Sequence, residues 1–283
     1  MTPNLAILAA LLFSFAPPVP ANTGSSEPRW SHDGRRIVYV NGHFPEGREI
    51  MIMNADGSGV RQLTSNQAAD EYPALSPDGR AILFSSNRTG AWRLYLMDVD
   101  GSHQRDLGLP STAVDLNDPC RADWLPDGRQ IVFPITNENH EHHLHIANRD
   151  GSELRAIPNG RGLYPHSSPD GKSLVFYAGN NLHTINVDGT QRTQITRNDP
   201  SSETRPNYPQ WSADGASIFF LRGEQVFSID IDGQREKQYT SPPGMKWYLT
   251  VSSRGWIAYT SITEGLDRIY VMDPKGRPRV VAS

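Results

Sequence analysis

The sequence predicts an all-β protein: a six-bladed β-propeller with four antiparallel strands per blade. Two turn signals, each recurring six times, predict it, together with short β-branched and aromatic runs set between them. The first signal closes a hairpin at Asp33-Gly34, Asp78-Gly79, Asp127-Gly128, Asp170-Gly171, Asp214-Gly215 and, in degenerate form, Arg254-Gly255. The second falls at Asp56-Gly57, Asp100-Gly101, Asp150-Gly151, Asp188-Gly189, Asp232-Gly233 and the degenerate Lys275-Gly276. Self-similarity at a period of about 40 to 50 residues marks propellers, solenoids and arrays.

Each repeat reads in the same order. A first strand carries Pro28-Arg29-Trp30, Pro73-Ala74-Leu75, Ala122-Asp123-Trp124, Pro165-His166-Ser167, Pro209-Gln210-Trp211 or Leu249-Thr250-Val251, and runs into the first turn. In that turn Pro presets φ, Asp tolerates the next position and Gly supplies the left-handed residue. The second strand is an apolar run such as 37–40, 82–84, 131–133, 174–176 and 218–220, of a kind buried on both faces. The third carries 50–53, 94–97, 144–147, 182–185, 226–229 and 269–272. The fourth places Leu63, Leu107, Ile157, Ile195 or Tyr239 six positions past the second Gly. The sixth repeat is one residue short in both places, so its turns are expected to be built differently. Radial repetition of such sheets is one solution to the edge-strand problem. The expected blades are 27–66, 72–110, 121–160, 164–199, 208–243 and 246–283, with no strand borrowed from the opposite terminus.

The repeated Pro-x-Trp-Ser-Pro-Asp-Gly-Arg-x-Ile-x-Phe, followed by Ile-Tyr-x-Met-Asp-x-Asp-Gly and Arg-x-Leu-Thr, resembles the propeller of TolB and related exported WD-like β-propellers. The resemblance covers residues 27–283 and implies the fold, a periplasmic or secreted location and a protein-binding role in the cell envelope. TolB proteins carry an α/β domain ahead of this propeller, which has no counterpart here. A propeller-only relative is the expectation.

Composition narrows the function classes. With 37% hydrophobic residues, a formal charge of −4 and pI about 6.1, the chain is too polar for a multi-span membrane protein and lacks the basic face that nucleic acid requires. Residues 5–16 form an apolar run of signal-peptide length, and Val19-Pro20-Ala21 offers small residues for cleavage. Residues 1–21 are therefore read as an export signal, 22–26 as a short linker and 27–283 as the propeller. Cys120 is the single cysteine, so no internal disulfide forms and no lipid-modified cysteine follows the apolar run.

The first strand of each blade is innermost. If side chains alternate along it, one side carries the Trp and Pro columns as packing. The other faces the channel with Arg29, Tyr72, Arg121, Asp123, Tyr164, His166, Tyr208, Gln210 and Tyr248, a polar and aromatic set that differs in every blade. A packing position repeated six times should be monotonous; this ring suits a binding mouth. On that reading Arg121→Ala or Tyr164→Ala weakens a partner, whereas Trp124→Ala weakens the fold. Loops at Asp70-Glu71, 115–118, 137–143 and 199–205 are expected at the same rim.

Other motifs carry less. His140-Glu141-His142-His143-Leu144-His145 has metal-binding residue types but no supporting ligand elsewhere, and His145 and His183 fall in a half-buried strand column. Asp98-Val99-Asp100-Gly101 and Asp230-Ile231-Asp232-Gly233 lack the Glu that closes a calcium loop. No nucleophile elbow, P-loop or dinucleotide fingerprint is present. No metal or other cofactor is therefore expected. The leading expectation is a non-catalytic, monomeric exported propeller that docks a protein or peptidoglycan-associated partner at its channel mouth. The alternative is a glycan-acting lyase or hydrolase using His166 with Asp123, Arg121 and a channel tyrosine.

Overall fold

The computed structural model describes residues 24–43, 46–110, 121–199, 201–241, 244–263 and 265–282. Six four-stranded antiparallel sheets follow one another along the chain. Blade 1 is β1 (Ser25–Trp30), β2 (Arg36–His43), β3 (Glu46–Asn54) and β4 (Arg61–Gln62). Blade 2 is β5 (Asp70–Leu75), β6 (Ala81–Ser86), β7 (Arg93–Asp98) and β8 (Arg105–Asp106). Blade 3 is β9 (Asp123–Trp124), β10 (Gln130–Thr136), β11 (His142–Asn148) and β12 (Arg155–Arg161). Blade 4 is β13 (Leu163–Ser167), β14 (Ser173–Ala178), β15 (Asn181–Asn186) and β16 (Thr193–Gln194). Blade 5 is β17 (Asn207–Trp211), β18 (Ser217–Arg222), β19 (Gln225–Asp230) and β20 (Lys237–Gln238). Blade 6 is β21 (Lys246–Val251), β22 (Ile257–Thr263), β23 (Leu266–Met272) and β24 (Pro278–Ala282). Among the described residues each sheet is made of four consecutive strands, and none is completed from the opposite terminus.

The core lies between blades. Phe84, Phe133, Phe176 and Phe220 on the second strands are fully buried, and each pairs in register with a third-strand residue: Tyr95, His145, His183 and Phe227. His145 and His183 thus stack on Phe133 and Phe176, and burial pushes both imidazoles below their ordinary value. They are packing residues, as their column suggests.

The first turns are held by their own side chains. Ser76, Ser168 and Ser212 hydroxyls donate to Asp78, Asp170 and Asp214 at 2.5, 2.6 and 2.6 Å. Those bonds, with backbone amides of the turn, hold the three carboxyls below their ordinary value. The sixth repeat corrects the expectation of differently built turns. Gly255 and Gly276 donate to the Ser252 and Asp273 carbonyls, as the equivalent glycines do elsewhere. The difference comes after the turn, where β24 begins two residues past Gly276 instead of four.

The second-turn glycine has a packing reason that local geometry alone does not give. A Cβ at Gly57, Gly101, Gly151, Gly189 or Gly233 would fall 2.6, 2.6, 2.2, 2.5 or 2.6 Å from a carbonyl oxygen in, or one residue past, the fourth strand of the preceding blade. Five junctions therefore close by a turn pressed against the neighbour's outer strand. Tryptophan adds a tie nearer the axis: Trp124 Nε1 donates to the Ala74 carbonyl at 3.0 Å, and Trp211 Nε1 to the His166 carbonyl at 3.2 Å. At the ring seam, Trp30 Nε1 is buried without a partner. Blade 1 meets blade 6 there through Ile37, Tyr39, Met51, Ala258, Ile269 and Val271.

Candidate functional site at the central channel

The first strands do not alternate simply. In blades 1, 2, 4, 5 and 6 the register slips just before the channel-facing residue. There Glu27, Tyr72, Tyr164, Tyr208 and Tyr248 adopt φ of 55°, 52°, 54°, 49° and 53°. A left-handed non-glycine residue is strained by about 1–3 kcal/mol, and its recurrence in one structural position marks a built feature. The bulge drives these side chains inward, away from the level of the residues two positions on. The expected single ring is thereby corrected: its members occupy two depths.

At the end where the first strands begin, tyrosines pack against one another. Ring centroids lie 4.7 Å apart for Tyr164–Tyr208, 5.3 Å for Tyr208–Tyr248 and 6.0 Å for Tyr72–Tyr248. Arg121 lies over the Tyr208 ring at 5.6 Å and donates to the Leu249 carbonyl at 3.2 Å. Arg48, from the hairpin of blade 1, pairs with Glu27 at 2.6 Å and Glu71 at 3.0 Å, and the second Glu27 oxygen accepts from the Tyr72 amide. Burial, then the Glu27 carboxylate, pushes the Tyr248 phenol up. Between Glu27, Arg29, Tyr72, Arg121 and Tyr248 about 10 Å³ remains, room for about one water.

The turn end is open. A funnel of about 160 Å³ runs inward between the six first turns, with Arg29, Asp123 and His166 at its deeper level and residues such as Pro126, Pro169, Ala213 and Ser253 around it. Asp123 braces three blades: one oxygen pairs with Arg29 of blade 1, and the other accepts from the Ser167 amide of blade 4 at 2.9 Å. Burial opposes ionisation of Asp123. The charges of His166 and Arg29 and the bonds from Ser167 outweigh it and hold the carboxyl low. Burial lowers His166 to about 4 despite Asp123, so at neutral pH the ring is uncharged; its Nδ1 accepts from the Trp211 amide at 3.2 Å. Neutral His166 leaves Arg29 and Ser167 as the effective partners of Asp123 there.

Gln210 is buried beside the channel, donating to the Pro209 carbonyl at 2.9 Å with Oε1 unpartnered. Arg29 Nη1 and Arg121 Nη1 are likewise buried without partners. Burial, then the like charge of Arg29, lowers Arg121 to about 10. Sequence reasoning missed Arg48, Glu71 as its partner, and Ser167. Ser167 carried a signal, a small polar residue in a column otherwise holding Trp, Leu or Val. Of the expected loops, 115–118 lies outside the described residues, as do Cys120 and residues 1–23.

The histidine motif does not line this site: His140, Glu141 and His142 border a separate pocket with Arg161, Leu163 and Tyr177, where blades 3 and 4 meet. Among the described residues no three His, Cys, Asp or Glu side chains gather as metal ligands. No helix of the described residues is long and apolar enough to cross a membrane.

Comparison with known proteins places this geometry in a family. A family model described as the TolB beta propeller domain matches residues 19–179. The chain belongs to the TolB β-propeller family. Its fold is similar to TolB from Acinetobacter baumannii, with a TM-score of 0.75 at 20% identity over 88% of this chain and 64% of that one. It is similar to an oligogalacturonate lyase in complex with manganese at a TM-score of 0.60 and 17% identity, over 92% and 78% of the chains. An uncharacterised protein of Agrobacterium fabrum is 27% identical over 163 residues, 52% of each chain. The chain thus spans about half the length of that curated relative. The structural likenesses, all at low identity, show the fold.

Proposed function

We propose that this TolB-family propeller is a non-catalytic binding scaffold of an exported protein. Its turn-side funnel receives a projecting segment of a protein or peptidoglycan-associated partner. The observation that carries the reading is Arg29: a buried guanidinium at the funnel's deeper level, fixed through Nη2 by Asp123 and left with an unpartnered Nη1. A buried donor without an acceptor costs about 1–3 kcal/mol, which a partner's carbonyl or carboxylate would recover. The apolar residues 5–16 and the family's TolB members support export, with residues 22–283 as the mature, monomeric chain.

The lyase or hydrolase alternative has the fold likeness to an oligogalacturonate lyase in its favour. Geometry favours binding. Both Asp123 oxygens are engaged, and His166 accepts from the backbone through Nδ1. Among the described residues no acidic residue other than Asp123 lines the funnel, and its second imidazole, His32, is an exposed residue of a first turn. The funnel's deeper residues, Arg29 and His166, replace Arg121 and Tyr164 as the expected hot spots, because the latter belong to the packed end.

The test is capture from a Gram-negative periplasmic extract with the mature protein, followed by affinity measurement on variants. Ala213→Trp fills the funnel from an exposed turn and should weaken the partner by roughly 1–3 kcal/mol, the span of an interface hot spot. Tyr164→Ala should leave affinity nearly unchanged. Normal binding by Ala213→Trp would sink the funnel assignment.

A further inference from the structure

The link between blades 3 and 4 departs from the repeat. In blades 1, 4 and 5 a threonine follows Leu63, Ile195 or Tyr239, and its hydroxyl works in both directions. Thr64, Thr196 and Thr240 accept from the third-strand amides of Ile50, Leu182 and Val226 at 2.9 Å, and donate to Glu49, Asn181 and Gln225. Residues 63–69, 195–206 and 239–245 then lead to the next first strand. In blade 3, Pro158 takes the threonine's place and offers no hydroxyl. There β12 runs on to Arg161, and Gly162 alone separates it from β13 at Leu163. The corner needs glycine, because a Cβ would fall 2.4 Å from Cδ2 of Phe176. The acceptor column changes as well: His143 stands where Glu49, Asn181 and Gln225 receive the threonine.

Beside this shortened link opens a cavity of about 370 Å³. That size is within the roughly 300–1,000 Å³ of small-ligand pockets. Its walls are the blade 3 hairpin at His140 to His142, the link itself, and Tyr177 and Arg192 of blade 4. The lining is cationic. Arg161 and Arg192 share it with one acidic group, Glu141, whose oxygens already take Arg161 at 2.9 Å and His143 at 3.5 Å. Arg192 has only neutral partners: it donates to the Asn159 carbonyl at 2.7 Å and lies 5.2 Å over the Phe176 ring. Among the described residues no carboxylate comes within ion-pair distance of it.

These cations repel one another. Burial, then the like charge of Arg161, lowers Arg192; burial, then the charges of His140, His143 and Arg161, lowers His142. An anion among them removes that repulsion, and each guanidinium, with five N–H donors, has donors to spare. The same two arginines argue against a metal cation at this histidine cluster, since like charges repel. Guanidiniums take carboxylate and phosphate oxygens through paired hydrogen bonds, so an oxyanion is the matching chemistry. Tyr177, Leu163 and Ala178 add apolar surface for the carbon skeleton that carries it.

We propose that the cavity between blades 3 and 4 is a second binding site, which takes the oxyanion of a small organic ligand, a phosphate ester or a carboxylate on a sugar-sized skeleton. It shares no lining residue with the channel funnel and does not depend on that reading.

The test is isothermal titration of the purified protein at low salt with glucose-6-phosphate, glucuronate and glucose, three ligands of one skeleton. Saturable binding is expected for at least one of the two anions, which identifies the source of the oxyanion, and none for glucose. Arg192→Met keeps an apolar contact with Phe176 and should weaken the anion about tenfold or more, as for loss of a charge-assisted hydrogen bond. Arg161→Gln should act in the same direction. Glu141→Gln removes the competing carboxylate and should tighten binding, a gain that damage to the fold would not produce; thermal melts check all three variants. Ala213→Trp, in the funnel, should bind the anion as the parent does. Absence of saturable binding by both anions, glucose binding as tightly as they do, or parent-like binding by folded Arg192→Met would overturn the proposal. Weaker binding by folded Glu141→Gln would overturn it as well.

Discussion

The two ends of the channel are made from the same six strands, yet one is packed and the other open. At the turn end the chain obeys its repeat: Ser, Asp and Gly close nearly identical hairpins, and a funnel remains between them. At the opposite end five left-handed bulges swing Glu27 and four tyrosines inward, where Arg48 and Arg121 complete the packing. Identical backbone elements thus give an aperture where side chains are small and a plug where a bulge redirects large ones. The difference teaches that the variable residues of a repeat need not line an opening; here many of them fill one.

The largest effect should come from the brace beneath the funnel. Asp123→Ala leaves Arg29 buried without its carboxylate and frees the Ser167 amide, and removing one partner of a buried pair costs about 3–5 kcal/mol. A urea melt should show it. A loss under about 1 kcal/mol would mean that the turn end is held by the turns alone.

Acid should act on the same end through His166. An unfolded imidazole takes its proton near 6.5, while burial holds this one to about 4. Between those values the unfolded chain binds more protons, so stability falls as pH drops from about 6.5 to about 4 and this contribution is gone below. Because the ring is half-buried, roughly 2 kcal/mol is the expected span. His142, His145 and His183 are also lowered and add in the same sense. His166→Gln should therefore flatten the stability–pH slope in that window, measured by melts at successive pH values. An unchanged slope would assign the effect to the other three.

Smaller still is the tryptophan contrast between an inner junction and the seam. Trp124→Phe loses the bond to the Ala74 carbonyl and should cost about 1 kcal/mol more than Trp30→Phe, whose Nε1 has no partner. The smallest effect is expected at the packed end. Arg121→Met replaces a buried cation that has no carboxylate within ion-pair distance among the described residues, and should be neutral or slightly stabilising. A marked destabilisation would show that the Tyr208 ring and the Leu249 carbonyl suffice to hold that charge.

Much of this was legible in the sequence, for identifiable reasons. Turn residues and apolar runs act locally, so the Asp-Gly signals and the Phe84, Phe133, Phe176 and Phe220 columns named the blades directly. The channel residues were named too, because first strands are innermost in such a fold. Their depths were not, since alternation fails at a bulge and no residue type announces one: Tyr72, Tyr164 and Tyr208 precede proline, Tyr248 precedes leucine. Arg48 was invisible because it reaches the channel from a hairpin of the second and third strands. The shortened link between blades 3 and 4 was half visible, in Pro158 and the histidine motif, but only the threonine bonds of the other blades give those two irregularities a common meaning.

Site-specific photo-crosslinking tests the funnel most directly. p-Benzoylphenylalanine at Ser253, on the funnel wall, is compared with the same probe at Leu163, beside the tyrosine end, in a cell-envelope extract. The account predicts a discrete partner adduct from Ser253 that disappears when Ala213→Trp is added, and none from Leu163. An adduct from Leu163 alone, or one from Ser253 that survives the filled funnel, would contradict it.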